Sequence, residues 1–213
     1  MSALTLHGYW RSSAAYRVRI ALNLKGVDYA QVSHDLRAGE QRQDDYLAIA
    51  PHGLVPALVA DGTILIESPA ILEWIEATWP APALLPEKPE AVAIVRSMAA
   101  LIACDIHPLN NLRVLNRLRE DFNASKDQVK AWVRHWIAAG FAPLEQLVAQ
   151  YGEPFAFGDA PTLADCYLVP QLYNARRFGV DLTPYPKMLA AEEAALSLPA
   201  FQAAQPDRQP DAA

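Results

Sequence analysis

The stretch VPALVADGTILIESPAILEWIE, residues 55–76, decides the architecture of the first third of the chain. Two β-rich runs meet at Asp61-Gly62, a pair that accepts the left-handed backbone of a tight hairpin turn. The second run passes straight into an amphipathic stretch, for which Ser68 is the expected N-cap and Pro69 the first helical residue. Pro56 has no N–H for a sheet ladder. At the entrance to a strand it marks an edge or a cis turn beside a site, although a strand-entry proline is usually structural.

Upstream, ALTLHGY (3–9) alternates as a strand, and residues 13–25 carry helical periodicity that ends at Gly26. VDYAQVSH (27–34) reads as a second strand, and EQRQDDYLAIAP (40–51) holds a short irregular helix. The order β-α-β-(α)-β-β-α over about 80 residues implies an α/β sandwich. Downstream, Pro80, Pro82, Pro86 and Pro89 crowd a segment that reads as a semi-rigid linker. The rest is helical in pattern. Residues 90–120 form one long stretch kinked at Pro108, residues 126–152 a second helix, and residues 160–180 a third with a Thr162/Asp165 capping box.

The 213 residues carry a net charge of −6, which argues against non-specific nucleic-acid binding. Thirteen of the 18 cations are arginine, suited to gripping carboxylates locally, although a compositional bias gives the same count. Cys104 and Cys166 lie outside any metal or redox spacing and are expected to be buried free thiols of a reducing cytosol. MSALTLHGYW lacks the basic start and apolar core of a signal peptide, and no run is read as a membrane span, so a cytoplasmic location is expected. The five histidines are scattered, no metal site is expected, and the phosphate-loop, dinucleotide, zinc-protease and nucleophile-elbow motifs are absent.

Two places could carry chemistry on their own. Arg11-Ser12-Ser13 stands at the start of the first helix, where a hydroxyl and the positive helix end stabilise a thiolate or oxyanion. Glu67-Ser68 offers a carboxylate for an ammonium beside a helix start for a carboxylate, which suits an α-amino acid end. Taken alone, each reads first as a plain helix cap. Arg113 and Arg176-Arg177 matter only where the fold gathers them.

The ordered set RSSAAYRVRIALNLKGVDY (11–29), VPAL (55–58), ESPAILEWIE (67–76), the proline linker, CDIHPLNNLRVL (104–115), GDAPTLADCYLVPQ (158–171), RRFGVDLTPYP (176–186) and the terminal RQPD (208–211) resembles the zeta class of glutathione transferases. That class includes maleylacetoacetate and maleylpyruvate isomerases. The resemblance implies the glutathione transferase fold: a thioredoxin-like α/β domain at residues 1–80, a linker at 81–90 and an all-α domain at 91–213, assembled as a homodimer. It implies glutathione as cofactor and a small dicarboxylic keto acid as substrate, with no nucleic acid, membrane or metal partner. Ser12, supported by Ser13 and Arg11, takes the catalytic role. Glutathione falls to Ser12, Ser13, Ala14, Gln41, Val55, Glu67, Ser68, His107, Asn111 and Arg113, and the substrate carboxylates to Arg11, Arg113 and Arg177. The chain departs from many animal members in carrying Ala14 and Ala15 where they have Cys-Ser, which disfavours thiol exchange through the protein. It also departs at Ala50, where Asn is usual, and at Arg113, where some relatives carry serine. The implied activity is glutathione-dependent cis–trans isomerisation of maleylacetoacetate, with maleylpyruvate, conjugation of α-halo acids, or non-catalytic glutathione binding as alternatives.

Overall fold

Strand β1 (Leu4–Gly8) sits inside a four-stranded sheet in the order β2-β1-β3-β4, in a computed structural model that describes residues 4–212. β2 (Ala30–Ser33) runs parallel to β1, while β3 (Ala57–Ala60) is antiparallel to β1 and to β4 (Thr63–Ile66). The expected hairpin turn falls at Asp61 and Gly62, with φ of 48° and 81°. Helices α1 (Ser13–Leu24) and α3 (Ser68–Thr78) pack on each other beside the sheet, burying Val18, Leu22, Ile71 and Ile75 completely. Burying each such side chain favours the fold by roughly 1.5–3 kcal/mol. A 3₁₀ turn (Glu40–Arg42) and short α2 (Asp44–Leu47) connect β2 to β3. Gly26 closes α1 with φ of 64°, as its position predicts.

The chain up to Leu84, together with the segment from Leu196 onward, forms one compact unit, and Leu85–Ala195 forms another. The second unit contains α4 (Pro89–Ala100), α5 (Leu112–Phe122), α6 (Lys126–Tyr151), α7 (Leu163–Arg177) and α8 (Pro186–Leu196). The break foreseen at Pro108 is wider than a kink. Leu101–Ile106 form a π-helical turn and His107–Asn110 a 3₁₀ turn before α5 begins. Pro108 has no N–H and its ring clashes with the carbonyl four residues back, so the preceding turn loosens. Ile106 then packs so closely on α6 that a Cβ at Gly140 would lie 2.3 Å from it, which only glycine permits. The Thr162/Asp165 capping box forms at the start of α7.

Two expectations need correcting. Cys166 is buried and outside any disulfide, but Cys104, on the π turn, is exposed. The helical stretch Pro89–Phe122 is long and apolar enough, by length and composition, to cross a membrane; between residues 91 and 112 only Arg96 and Asp105 are charged, and they divide the sequence into shorter apolar runs.

By packing, the C-terminal segment belongs with the first unit, although its pattern alone groups it with the helices before it. α9 (Pro199–Ala204) lies along α1, where Arg19 Nε donates to Ala204 O at 3.0 Å and Asn23 Nδ2 to Ala200 O at 3.0 Å.

Candidate active site

The strand register collects four segments at one end of the sheet. His7 on β1 pairs with Ala57 at the start of β3, and Ala57 pairs with Ile66 at the end of β4. The turn after β1 (Tyr9–Ser12), the entrance to β3 (Val55-Pro56) and the exit from β4 (Glu67-Ser68) are therefore neighbours. β2 leaves at the same end, since Gly8 pairs with Ser33, and the loop that follows carries Gln41. A Cβ at Gly53 would lie 3.2 Å from Gln41 O, which brings that loop against the segment entering β3.

Ser12 is the N-cap of α1. Its Oγ accepts from Ala15 N at 3.2 Å, and its own N donates to Tyr9 O at 3.0 Å, closing a tight turn. The cap engages only a lone pair, so the hydroxyl proton is free to be donated outward. No acidic residue stands in the first turn to offset the positive helix end. Cap and anion holder are compatible roles for one serine. Ser13 and Ala14 follow as buried first-turn residues, and the Arg11 guanidinium stacks 5.2 Å from the centre of the Trp10 ring.

The Val55-Pro56 peptide is cis, as the strand-entry proline suggested. Behind it, the buried Tyr46 hydroxyl donates to Leu54 O at 2.7 Å. Burial pushes the Tyr46 phenol well above its ordinary range, so it remains a donor. Gln41 is buried, and its Oε1 has no hydrogen-bond partner among the described residues. A buried acceptor left this way is costly unless a ligand completes it.

At the exit from β4 the structure corrects the expected cap. Glu67, not Ser68, is the N-cap of α3, with φ of 67° and ψ of 114°, and Ser68 and Pro69 are its first two residues. The left-handed φ at Glu67 turns the chain off the strand one residue early, and Ile71 N bonds back to Glu67 O at 3.0 Å. Ser68 is buried and its Oγ accepts from Arg17 Nη1 at 3.1 Å. The Glu67 side chain is 62% exposed, with Oε1 3.8 Å from His52 Nε2. A non-glycine residue at positive φ stores strain of order 1–3 kcal/mol, which is a common feature of ligand clamps.

The remaining expected residues lie in the second unit. His107 opens the 3₁₀ turn. Asn111 is the N-cap of α5, its Oδ1 accepting from the N–H of exposed Arg113 at 3.1 Å. These three share one junction. Arg177 ends α7, with its guanidinium 5.6 Å from the centre of the Phe178 ring, while its neighbour Arg176 is committed to Glu192. Three residues escaped the sequence reading: Arg17 behind Ser68, Tyr46 behind the cis peptide, and His52 beside Glu67. Arg17 was the hardest to find, because an arginine in a helix reads as solvent-facing and this one is 2% exposed. Among the described residues, no cluster of three His, Cys, Asp or Glu is arranged to hold a metal ion.

A capped positive helix end, an extended segment entering β3, and a carboxylate beside a second helix start are chemically complementary to a zwitterionic peptide with an anionic sulfur. Comparison with known proteins gives the family. Residues 2–77 match the glutathione S-transferase N-terminal domain, and residues 127–193 match the C-terminal domain. The chain belongs to the glutathione S-transferase family, and within it to the zeta class. It is 49% identical to a maleylpyruvate isomerase from Ralstonia sp. over 213 residues, covering 99% of this chain and 100% of that one. The holo structure of a maleylpyruvate isomerase, described as a bacterial zeta-class enzyme, superposes with a TM-score of 0.96 at 49% identity, covering 98% of this chain and 100% of the other. A maleylacetoacetate isomerase from Anaeromyxobacter dehalogenans, with glutathione bound in its active site, superposes with a TM-score of 0.91 at 49% identity, covering 100% of this chain and 99% of that one.

Proposed function

We propose that the protein is a glutathione-dependent cis–trans isomerase converting maleylacetoacetate to its fumaryl isomer, with residues 1–80 as the glutathione-binding domain, 81–90 as linker and 91–213 as the helical domain. The observation that carries this reading is the convergence of Ser12, Gln41, Val55 and Glu67-Ser68 at one end of the sheet. The residues fit the cofactor. The orphaned Gln41 Oε1 needs a donor, the Ser12 hydroxyl proton is available, and two helix starts await negative charge.

Bound glutathione supplies the thiolate whose reversible addition to the conjugated C=C bond allows rotation about it. Ser12 donates its hydroxyl proton to the sulfur, while Ser13, Ala14 and the α1 helix end add their first-turn N–H groups. The Val55 backbone pairs with the cysteinyl residue. Glu67 takes the γ-glutamyl ammonium, and Ser68 with the α3 start takes its carboxylate. Arg11 stabilises enolate charge on the substrate, and Arg11, Arg113 and Arg177 hold its carboxylates, with His107 and Asn111 completing the glutathione contacts.

A second reading, maleylpyruvate as substrate, is favoured by the 49% identity to the Ralstonia enzyme. The protein acts as a homodimer. The apolar helical stretch Pro89–Phe122 supports this, since most of its apolar run is left unburied by the rest of the chain. Cysteines not joined in a disulfide fit a cytoplasmic location. Calorimetric titration tests the cofactor assignment. Glutathione is expected to bind with one site per chain, weakened about tenfold or more by Glu67→Gln. Undetectable binding to the unaltered protein would overturn the assignment.

A further inference from the structure

The terminal RQPD segment returns to the turn that carries Ser12, a placement the reaction scheme does not use. Asp211 Oδ2 accepts from Trp10 N at 2.9 Å and also from the Ser33 hydroxyl. On the other side of the same residue, Trp10 O accepts from Arg19 Nη2 at 2.9 Å. Arg19 is fully buried and spans from Trp10 to Ala204 O, so this second grip also leads to the C-terminal segment. The segment is itself tied down. Gln209 Nε2 donates to Ala203 O at 2.9 Å and Gln205 O at 2.7 Å, and Gln209 Oε1 accepts from Gln31 on β2 at 3.2 Å. Trp10 is a central residue of the turn closed by Ser12 N on Tyr9 O. Holding its N–H and its carbonyl fixes the Tyr9–Trp10 and Trp10–Arg11 peptide planes, the two that precede the Arg11–Ser12 peptide.

We propose that Asp211 is a positioning residue for the reaction: from some 200 residues away in sequence it clamps the Trp10 peptide, and through it sets where the Ser12 hydroxyl and the first N–H groups of α1 meet the glutathione sulfur. The proposal rests on the glutathione reading above. Preorganisation explains why a carboxylate near an anion site is tolerated. Its charge opposes a thiolate, while the geometry it imposes favours one. These two effects have opposite signs, which makes them separable.

The experiment compares the full-length protein with Asp211→Ala and Asp211→Asn. Backbone hydrogen exchange is measured without ligand, and the ultraviolet thiolate band of bound glutathione is titrated against pH. Asparagine keeps an acceptor for Trp10 N but removes the charge, whereas alanine removes both. A clamp predicts faster exchange at Trp10 and Ser12 in Asp211→Ala, a bound-thiol pKa raised by about one unit, and hence about tenfold less thiolate at a pH below it. It further predicts a kcat loss of about tenfold with the glutathione KM changed less than about threefold, and substantial recovery in Asp211→Asn. Unchanged exchange at Trp10 and Ser12 in Asp211→Ala overturns the proposal. So does an equal lowering of the thiol pKa in both variants, the signature of charge alone, and so does a reduced melting temperature with an unchanged thiol pKa. Absence of a thiolate band in the unaltered protein would instead overturn the glutathione reading, separately from the clamp, which the exchange rates report without ligand.

Discussion

Replacing Asp165 with alanine should destabilise the protein more than any other single loss of a helix cap. Its carboxylate is completely buried and accepts three hydrogen bonds: from Ala156 N at 2.8 Å, Thr162 N at 2.8 Å and Thr162 Oγ1 at 3.1 Å. Alanine strands two buried N–H groups at about 1–3 kcal/mol each, giving a working figure of about 4 kcal/mol. At about 2–4 °C per kcal/mol for a chain of this size, the melting midpoint should fall by about 8–16 °C. The pH dependence has a definite sign. Burial pushes the Asp165 pKa from 3.8 up to about 6, with the three donors pulling it partly back. The folded protein therefore keeps this proton to higher pH than the unfolded chain does. The associated stability is fully present below about pH 4 and is lost as pH rises through about 6. The destabilisation by Asp165→Ala should thus be larger at pH 4.5 than at pH 7. Thermal melts followed by circular dichroism at both values test this. A midpoint drop under about 4 °C, or a difference that grows as pH rises, would refute the reasoning.

Other consequences can be measured in the same way. Ser12→Ala should lower kcat by roughly 10²–10³ while the lost cap costs only about 1 kcal/mol in urea unfolding, and retained turnover would shift the catalytic role to Ser13. Glu67→Gly relieves the positive φ, so its melting midpoint should rise by about 2–4 °C while the glutathione KM rises about tenfold or more. A lower midpoint would show that Glu67 is not strained. His7 Nδ1 and His34 Nε2 share one hydrogen bond at 3.0 Å, stacked beside Tyr46. Burial holds both pKa values below 6.5, with mutual repulsion adding to the effect at His7 and with Glu40 and Asp45 opposing it at His34. The contribution of the pair is therefore present above about pH 6.5 and is lost as pH falls. His34→Phe, which keeps a ring against Tyr46, should flatten the acid limb of the urea midpoint, and an unaltered limb would assign it elsewhere.

Local chemistry made the frame legible. Asp61-Gly62 announced the hairpin, Gly26 the end of α1, and Thr162 with Asp165 the start of α7, because each acts within a few residues. Features set by distant partners stayed hidden. Arg17 and Arg19 look like solvent-facing charges until Ser68 and Ala204, 51 and 185 residues away, accept their hydrogen bonds. The break at Pro108 was readable from the proline, but its π-helical form and the close packing of Ile106 on Gly140 of α6 were not. The start of α3 slipped by one residue because a glutamate took a left-handed φ that sequence assigns to glycine. At the site, the Arg-Ser-Ser and Glu-Ser motifs were readable as sequence. Their convergence follows only from a register in which the ends of β1 and β4 meet the start of β3.

The central claim is tested most directly by following absorbance as purified protein acts on maleylacetoacetate and on maleylpyruvate, each with and without glutathione. The account predicts rapid conversion to the fumaryl isomer only when glutathione is present, with no net loss of glutathione. Conversion at the same rate without it, or stoichiometric consumption of glutathione, would contradict the account.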